Sequence, residues 1–267
     1  MGTVSDAVAG RTISLAAGVA LDAAPEQMPH IAAAAGFDAV GIWFDADTWT
    51  ASTTQHVADA LRDAPVDALD VEPIMLGRGD DHGDRIVDIA IELGARFVLV
   101  ASAADDAVAV ARRLSGLAER ASGSGVRLAL EFLPFFGVAT LHDAVAIVES
   151  VGSPDVGVLI DTLHLSRSGG TVDDVVAVHA AHPTMLPYLQ LADAVEQRPT
   201  DTASLVDEAL HGRLLPDEGA LPIAEVIESV PDVALSIELR SRALMEHYPD
   251  PLDRARIVRA SLGPPHQ

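Results

Sequence analysis

Four apolar runs between Val126 and Glu238 each end on, or carry near their end, a residue with oxygen donors. VRLALE ends on Glu131, VGVLID on Asp161, PYLQ on Gln190 and ALSIE on Glu238. The first three are separated by 30 and 29 residues, and the last interval is 48. Taken singly, each is an ordinary strand-end polar group. Taken together, their spacing repeats one strand-plus-helix unit, which aims them at a common mouth. Three carboxylates converging there would raise one another's pKa. A divalent cation removes that conflict. Two Glu, one Asp and one Gln form a hard oxygen set that suits Mg²⁺, Mn²⁺ or Co²⁺ better than a thiophilic metal, with Zn²⁺ also admissible.

Such residues need a scaffold that brings strand ends together. Short β-branched runs recur along the chain: ISLAAGV from Ile13, DAVGIWF from Asp38, ALDVEPIM from Ala68 and ARFVLVA from Ala95. VRLALEF from Val126, DVGVLID from Asp155, LPYLQLAD from Leu186 and DVALSIEL from Asp232 follow. Near-continuous apolar runs fit strands buried on both faces of a parallel sheet. Helical patterns lie between them. Asp105 is expected to cap a helix running to Ala121, and Thr140 one that ends at Gly152. Pro25 lies near the start of the first helix and Pro222 opens the last but one. SGSG at 122–125 reads as a tight helix-to-strand loop, and the surplus from Asp193 to Leu221 as a long loop over the mouth. Eight strands alternating with helices give a closed barrel or an open doubly wound sheet. No Gly-rich dinucleotide fingerprint follows the first strand, so the expectation is α/β, a single (β/α)₈ TIM barrel over residues 1–267. Its active site would lie at the C-terminal strand ends.

Composition narrows the function. Lys and Arg number 17 against 40 Asp and Glu, for a net charge of −23. That balance repels polyanions, so neither nucleic acid nor an anionic membrane is an expected partner. The chain has no cysteine, which excludes thiolate catalysis and zinc–thiolate clusters. MGTVSDAVAGRT lacks the pattern of a secretory leader, and charges interrupt every apolar stretch before the roughly 18 residues of a membrane span. A cytoplasmic protein with a frayed GPPHQ tail is expected.

Other residues carry weaker signals. Arg213, in RLLPDEG, sits in the long segment and could clamp a carboxylate or phosphate, or form a surface ion pair. Glu72 and Trp43 end strands three and two and are candidates to line the pocket, Trp43 equally as packing. Arg240 and Arg242, just past Glu238, could hold an anionic substrate or pair with the acidic surface. Asp193 reads as a residue that orients a neighbour. The His179/His182 pair falls in a helical stretch on the wrong side of its unit for a metal. The RGD at 78–80 reads as a loop coincidence. After SGGT at 168–171, Asp173 and Asp174 suit a helix start and disfavour a phosphate there.

The stretches LEFLPF, VGVLIDTLHLSRSGGT, PYLQLADA, RLLPDEGALPI and LSIEL resemble the sugar-phosphate isomerase/epimerase family of xylose-isomerase-like barrels, over the C-terminal half of the chain. The resemblance implies metal ligands at Glu131, Asp161, Gln190 and Glu238, and for His164, expected at the start of the loop leaving strand six, a substrate-contacting or proton-transferring role, with a structural histidine as the equal alternative. It also implies that Glu131 and Glu238 exchange a proton beside a substrate carbonyl, through a metal-stabilised enediolate. Isomerases and epimerases of the family usually carry His at the third ligand position. Gln190 followed by Leu-Ala-Asp is similar to the 3-dehydroshikimate dehydratase branch. The expected function is thus a metal-dependent isomerase or epimerase of a small polar carbonyl/hydroxyl substrate. A dehydratase of a cyclic hydroxy-ketone and a non-catalytic binding barrel are the alternatives. DNA-repair endonuclease relatives need more histidine ligands and a basic surface, which are missing. The resemblance allows a homodimer, and a monomer stays open.

Overall fold

The computed structural model describes residues 3–263; the first two residues and 264–267, most of the tail, lie outside the described residues. Eight parallel strands close on themselves in sequence order. They are β1 (Ile13–Leu15), β2 (Ala39–Trp43), β3 (Asp67–Leu76) and β4 (Phe97–Ser102). β5 (Arg127–Glu131), β6 (Val156–Asp161), β7 (Tyr188–Leu191) and β8 (Ala234–Ile237) complete the ring. β8 pairs back onto β1 through Ile13–Leu235 and Leu15–Ile237. All eight expected strands are present, and the fold is a single (β/α)₈ barrel.

Side chains alternate across a strand, so each strand sends one set to the surrounding helices and one into the barrel. Leu69, Phe97, Leu99, Ala129, Leu159 and Tyr188 form the inner plug. The outer set, with the helices, forms the larger cluster that includes Val98, Leu128, Val158 and Leu235. Parity then dictates the site. Ala129 and Leu159 point inward, so Glu131 and Asp161, two residues on, do so as well. Tyr188 and Ala234 likewise bring Gln190, Ser236 and Glu238 inward. Asp161 stands level with Gln190, and Gln190 with Ser236.

The helices follow their local chemistry with small shifts of boundary. The helix Ala107–Ala121 is capped by Asp106, whose carboxylate accepts from the amides of Val108 and Ala109, rather than by Asp105. The neighbouring aspartate wins because its extended backbone points its oxygen back at those free amides. That helix buries Val110, Leu114, Leu117 and Ala121, worth about 1.5–3 kcal/mol for each large side chain. Thr140 forms a reciprocal cap with Asp143 and opens Leu141–Val151, which ends on Gly152 in the left-handed conformation at φ 66. Pro222 opens Ile223–Ser229, but two helices follow β8, Arg242–His247 and Pro251–Ala260. The last closes the helical ring through Arg254 to Asp22 at 2.8 Å and Arg259 to the Gly36 carbonyl at 2.9 Å. No helix among the described residues is long and apolar enough to cross a membrane.

Candidate active site

The end of β6 shows how the chain builds the site. Asp161 is both the last strand residue and the cap of the helix Thr162–Ser168, accepting from the amide of His164 at 3.0 Å. His164 therefore lies in a helical turn, not in a loop. The cap rotates its ring back toward the mouth, where its Nε2 lies 3.7 Å from Glu131 Oε1. Thr162 fastens the same turn to the end of β7, donating to the Ala192 carbonyl at 2.6 Å and accepting from the Ala192 amide at 2.9 Å.

The segment after β7 is not a bare loop. Helix Thr202–His211 fills its middle, capped by Asp201. Buried Arg167 ties this helix over the mouth through Glu208 at 2.6 Å and the Val195 carbonyl at 2.8 Å. The chain then returns as a short extended stretch bridged antiparallel to Asp193 through Leu214 and to Ser241 through Gly212. Asp193 secures the return by accepting from the amides of Gly219 and Leu221, each at 2.9 Å. Held between the exits of β7 and β8, Arg213 can only point into the barrel. It donates to Asp161 Oδ2 at 2.6 Å, to the Glu238 carbonyl at 3.3 Å and to the Ala209 carbonyl at 3.0 Å, with His164 Nε2 at 3.3 Å. In place of the surface ion pair the sequence allowed, Arg213 makes a buried one with the protein's own Asp161.

A cavity of about 430 Å³ opens above these residues, within the range of small-molecule sites. Trp43, Glu72, Glu131, His164, Gln190, Arg213, Glu238 and Arg240 all line it. Asp161 is fully buried behind Arg213. Glu131, Asp161 and His164 bring one ligand atom each within 4.8 Å of one another. Gln190 and Glu238 face the same mouth. Glu238 leans toward Gly18, where a Cβ would overlap its Oε1. Only glycine admits the glutamate there.

Burial sets the protonation. It pushes Glu131 well above the ordinary carboxylate range, reinforced by Asp161 and opposed by Arg213. Burial raises Glu72 likewise, with Asp70 and Glu238 adding to it. Glu238 is raised by burial against the pull of Arg213 and Arg240. Burial would also raise Asp161, but the Arg213 guanidinium leads the effects that hold it below its ordinary value. Burial lowers His164 to about 4, so its imidazole is neutral at pH 7.

Deeper in the barrel, Asp70 accepts from the Tyr188 hydroxyl at 2.8 Å and is raised to about 7, chiefly by burial. Asp70, Tyr188 and Arg167 escaped sequence reasoning; a charged residue inside an apolar run was the one signal for Asp70. Arg78 of the RGD triplet also lines the cavity, as do Phe135 and Phe136. Arg242 instead pairs at the surface with Asp207, 3.3 Å away. His182 faces Glu149 at 3.0 Å at the end of helix Val172–Ala181, remote from the mouth.

The donor chemistry fits a hard divalent cation. Carboxylate oxygens of Glu131, Asp161 and Glu238, the Gln190 amide and the His164 imidazole converge on one buried mouth. Glu238 Oε2, Gln190 Nε2 and His164 Nδ1 are buried without a hydrogen-bond partner. Buried polar groups left unpaired are costly, and a bound cation would engage the first of these directly.

Residues 29–262 match the family described as xylose isomerase-like TIM barrel, and the chain belongs to it. No curated protein matches the sequence. Among solved structures, the IolI protein with a bound zinc atom superposes with a TM-score of 0.77 at 15% identity, covering 94% of this chain and 96% of that one. The probable 3-DHS dehydratase AsbF of Bacillus anthracis gives 0.72 at 14% identity, over 96% and 100%. D-Psicose 3-epimerase of Clostridium cellulolyticum H10 gives 0.70 at 14%, over 94% and 96%.

Proposed function

We propose that the barrel mouth removes a proton from the carbon beside a carbonyl of a small polyhydroxylated substrate, with isomerisation or epimerisation as the outcome. The observation that carries this reading is that Glu131, at the end of β5, and Glu238, just past β8, are both buried and both face one cavity. A divalent cation held by Glu131, Asp161, Gln190 and Glu238 would supply Lewis acidity toward a substrate oxygen.

The chain's own residues do the rest. Desolvated carboxylates are stronger bases than solvated ones once ionised, so burial matches Glu131 and Glu238 to proton transfer near neutrality. Neutral His164 offers a hydrogen bond without adding positive charge beside Arg213. Arg213 keeps Asp161 ionised and fixed. Helix Thr202–His211 adds Val206 and Leu210 to the cavity wall, lowering the polarity around the carboxylates. Return of the proton to the opposite face gives epimerisation; return to the neighbouring carbon gives isomerisation.

A dehydratase reading is favoured by one observation: the third strand-end position carries Gln190, buried and facing the cluster, rather than an imidazole. The fold is shared with both an epimerase and a dehydratase, so the fold does not choose between them.

Proton NMR in D₂O with added Mg²⁺, over ketoses, inososes and 3-dehydroshikimate, tests both readings. Mg²⁺-dependent C–H exchange without loss of water supports the first, and a new alkene or aromatic signal the second. Both should vanish in Glu131→Gln and Glu238→Gln. Exchange that persists in those variants would overturn the assignment of the two glutamates.

A further inference from the structure

Every basic residue of the chain is an arginine; there is no lysine. Most of these arginines are tied to carboxylates or carbonyls. Two that line the mouth cavity are not: Arg78 and Arg240 have neither an ion pair nor a side-chain hydrogen bond among the described residues, although acidic groups outnumber basic ones by more than two to one. Both are instead laid on aromatic rings of the same cavity. Arg78 lies 4.7 Å above Phe136, and Arg240 5.4 Å above Trp43.

A guanidinium held over a ring by a cation–π contact, with no hydrogen bond of its own, keeps its N–H donors available. The contact also restrains the group before a ligand arrives, which lowers the cost of ordering it on binding. The Arg78 side continues inward as a ladder: Phe136 meets Phe135 edge-on at 5.2 Å, and Phe135 meets His164 at 5.8 Å. The cavity thus joins buried carboxylates to two ring-backed arginines nearer solvent, Arg78 exposed and Arg240 half-buried.

From this we infer that the substrate carries an anionic oxygen group, a carboxylate or a phosphate, held by Arg78 and Arg240 while its hydroxyl and carbonyl oxygens reach in among the buried carboxylates. The inference rests on the mouth being the active site proposed above. With the cation engaging the hydroxyl and carbonyl oxygens, the cavity arginines that have no carboxylate or carbonyl partner are the groups left for the anionic one. Arg213 cannot take that part, because Asp161 and two carbonyls engage its guanidinium.

Chloride-35 NMR line broadening on the full-length protein with Mg²⁺ detects such a site without the substrate. The expected result is excess broadening that falls at least five-fold in Arg78→Gln/Arg240→Gln and partly in each single variant, with the fold checked by urea unfolding. Inorganic phosphate and acetate then compete with chloride on the native protein; the one that displaces it at lower concentration identifies the group. No excess width in the native protein, or width unchanged within two-fold in the double variant, overturns the inference. The C–H exchange assay is separate. Its failure with an intact chloride site removes the proposed reaction alone, and loss of the chloride site with exchange intact removes the arginine pair alone.

Discussion

Replacing Arg213 with Met isolates the ion pair around which the mouth is built. Both partners are buried, with side-chain exposures of 4% for Arg213 and 0% for Asp161, and they meet at 2.6 Å. Methionine keeps much of the volume and removes the charge. Breaking one side of a buried pair costs about 3–5 kcal/mol because the other charge is left uncompensated. Here the stranded group is Asp161, whose other oxygen retains the His164 amide.

The pH dependence separates this electrostatic cost from simple loss of packing. In the native protein Asp161 lies below its ordinary value. Such a group contributes stability above the unfolded pKa near 3.9 and loses it as pH falls through the folded value. Without Arg213, burial dominates and the carboxyl rises above its unfolded value, so the variant loses stability as pH rises from about 4. The deficit of Arg213→Met should therefore be largest at pH 8 and shrink toward pH 4.5. A remainder of about 1–2 kcal/mol should persist from the lost bonds to the Ala209 and Glu238 carbonyls. Urea unfolding at both pH values, with Asp161→Asn completing a double-mutant cycle, measures this. A deficit below about 1 kcal/mol at pH 8, or one equal at both pH values, would refute the reasoning.

Three further outcomes follow from the geometry. Gly18→Ala should displace Glu238 and weaken Mn²⁺ binding about 10–100-fold by calorimetry, because the new methyl overlaps Glu238 Oε1; unchanged affinity would show that Glu238 does not hold the ion. Asp70, lifted to about 7, destabilises the folded metal-free protein progressively between pH 4 and 7, by up to about 4 kcal/mol. Asp70→Asn should thus be more stable than the native chain at pH 8 and not at pH 4, and a difference independent of pH in urea unfolding would count against it. Asp193→Ala orphans the amides of Gly219 and Leu221, so amide exchange across 214–221 should accelerate and stability fall by about 2–4 kcal/mol.

What could be read from the sequence follows physical range. Strand ends were legible because a near-continuous apolar run and the polar residue that closes it are both local; the pleat then sends Glu131 and Asp161 the way Ala129 and Leu159 face. The extra helix Thr202–His211 was hidden because an interval of unusual length says nothing of its content. The partner of Arg213 was hidden for a different reason. Asp161 lies 52 residues away, and the pairing depends on the two antiparallel bridges that hold residues 212–214 between strand exits. Arg78 was masked by its place in a turn; only the stack on Phe136 reveals that this turn borders the cavity. Each missed residue acts through a contact that the barrel, not the local sequence, creates.

Asp161 is where folding and chemistry compete for the same atoms. One of its oxygens accepts the His164 amide and the other the Arg213 guanidinium, leaving one further lone pair on each for a cation. A divalent ion held there as proposed would share Asp161 with Arg213 instead of replacing it, and two positive charges on one carboxylate are tolerable only where other anions surround them. Glu131 and Glu238, both facing the same mouth, supply those anions; Glu72 and Asp70 add to them. The surplus of buried carboxylates, costly in the metal-free protein, becomes the condition under which a fixed arginine and a mobile cation can occupy one mouth.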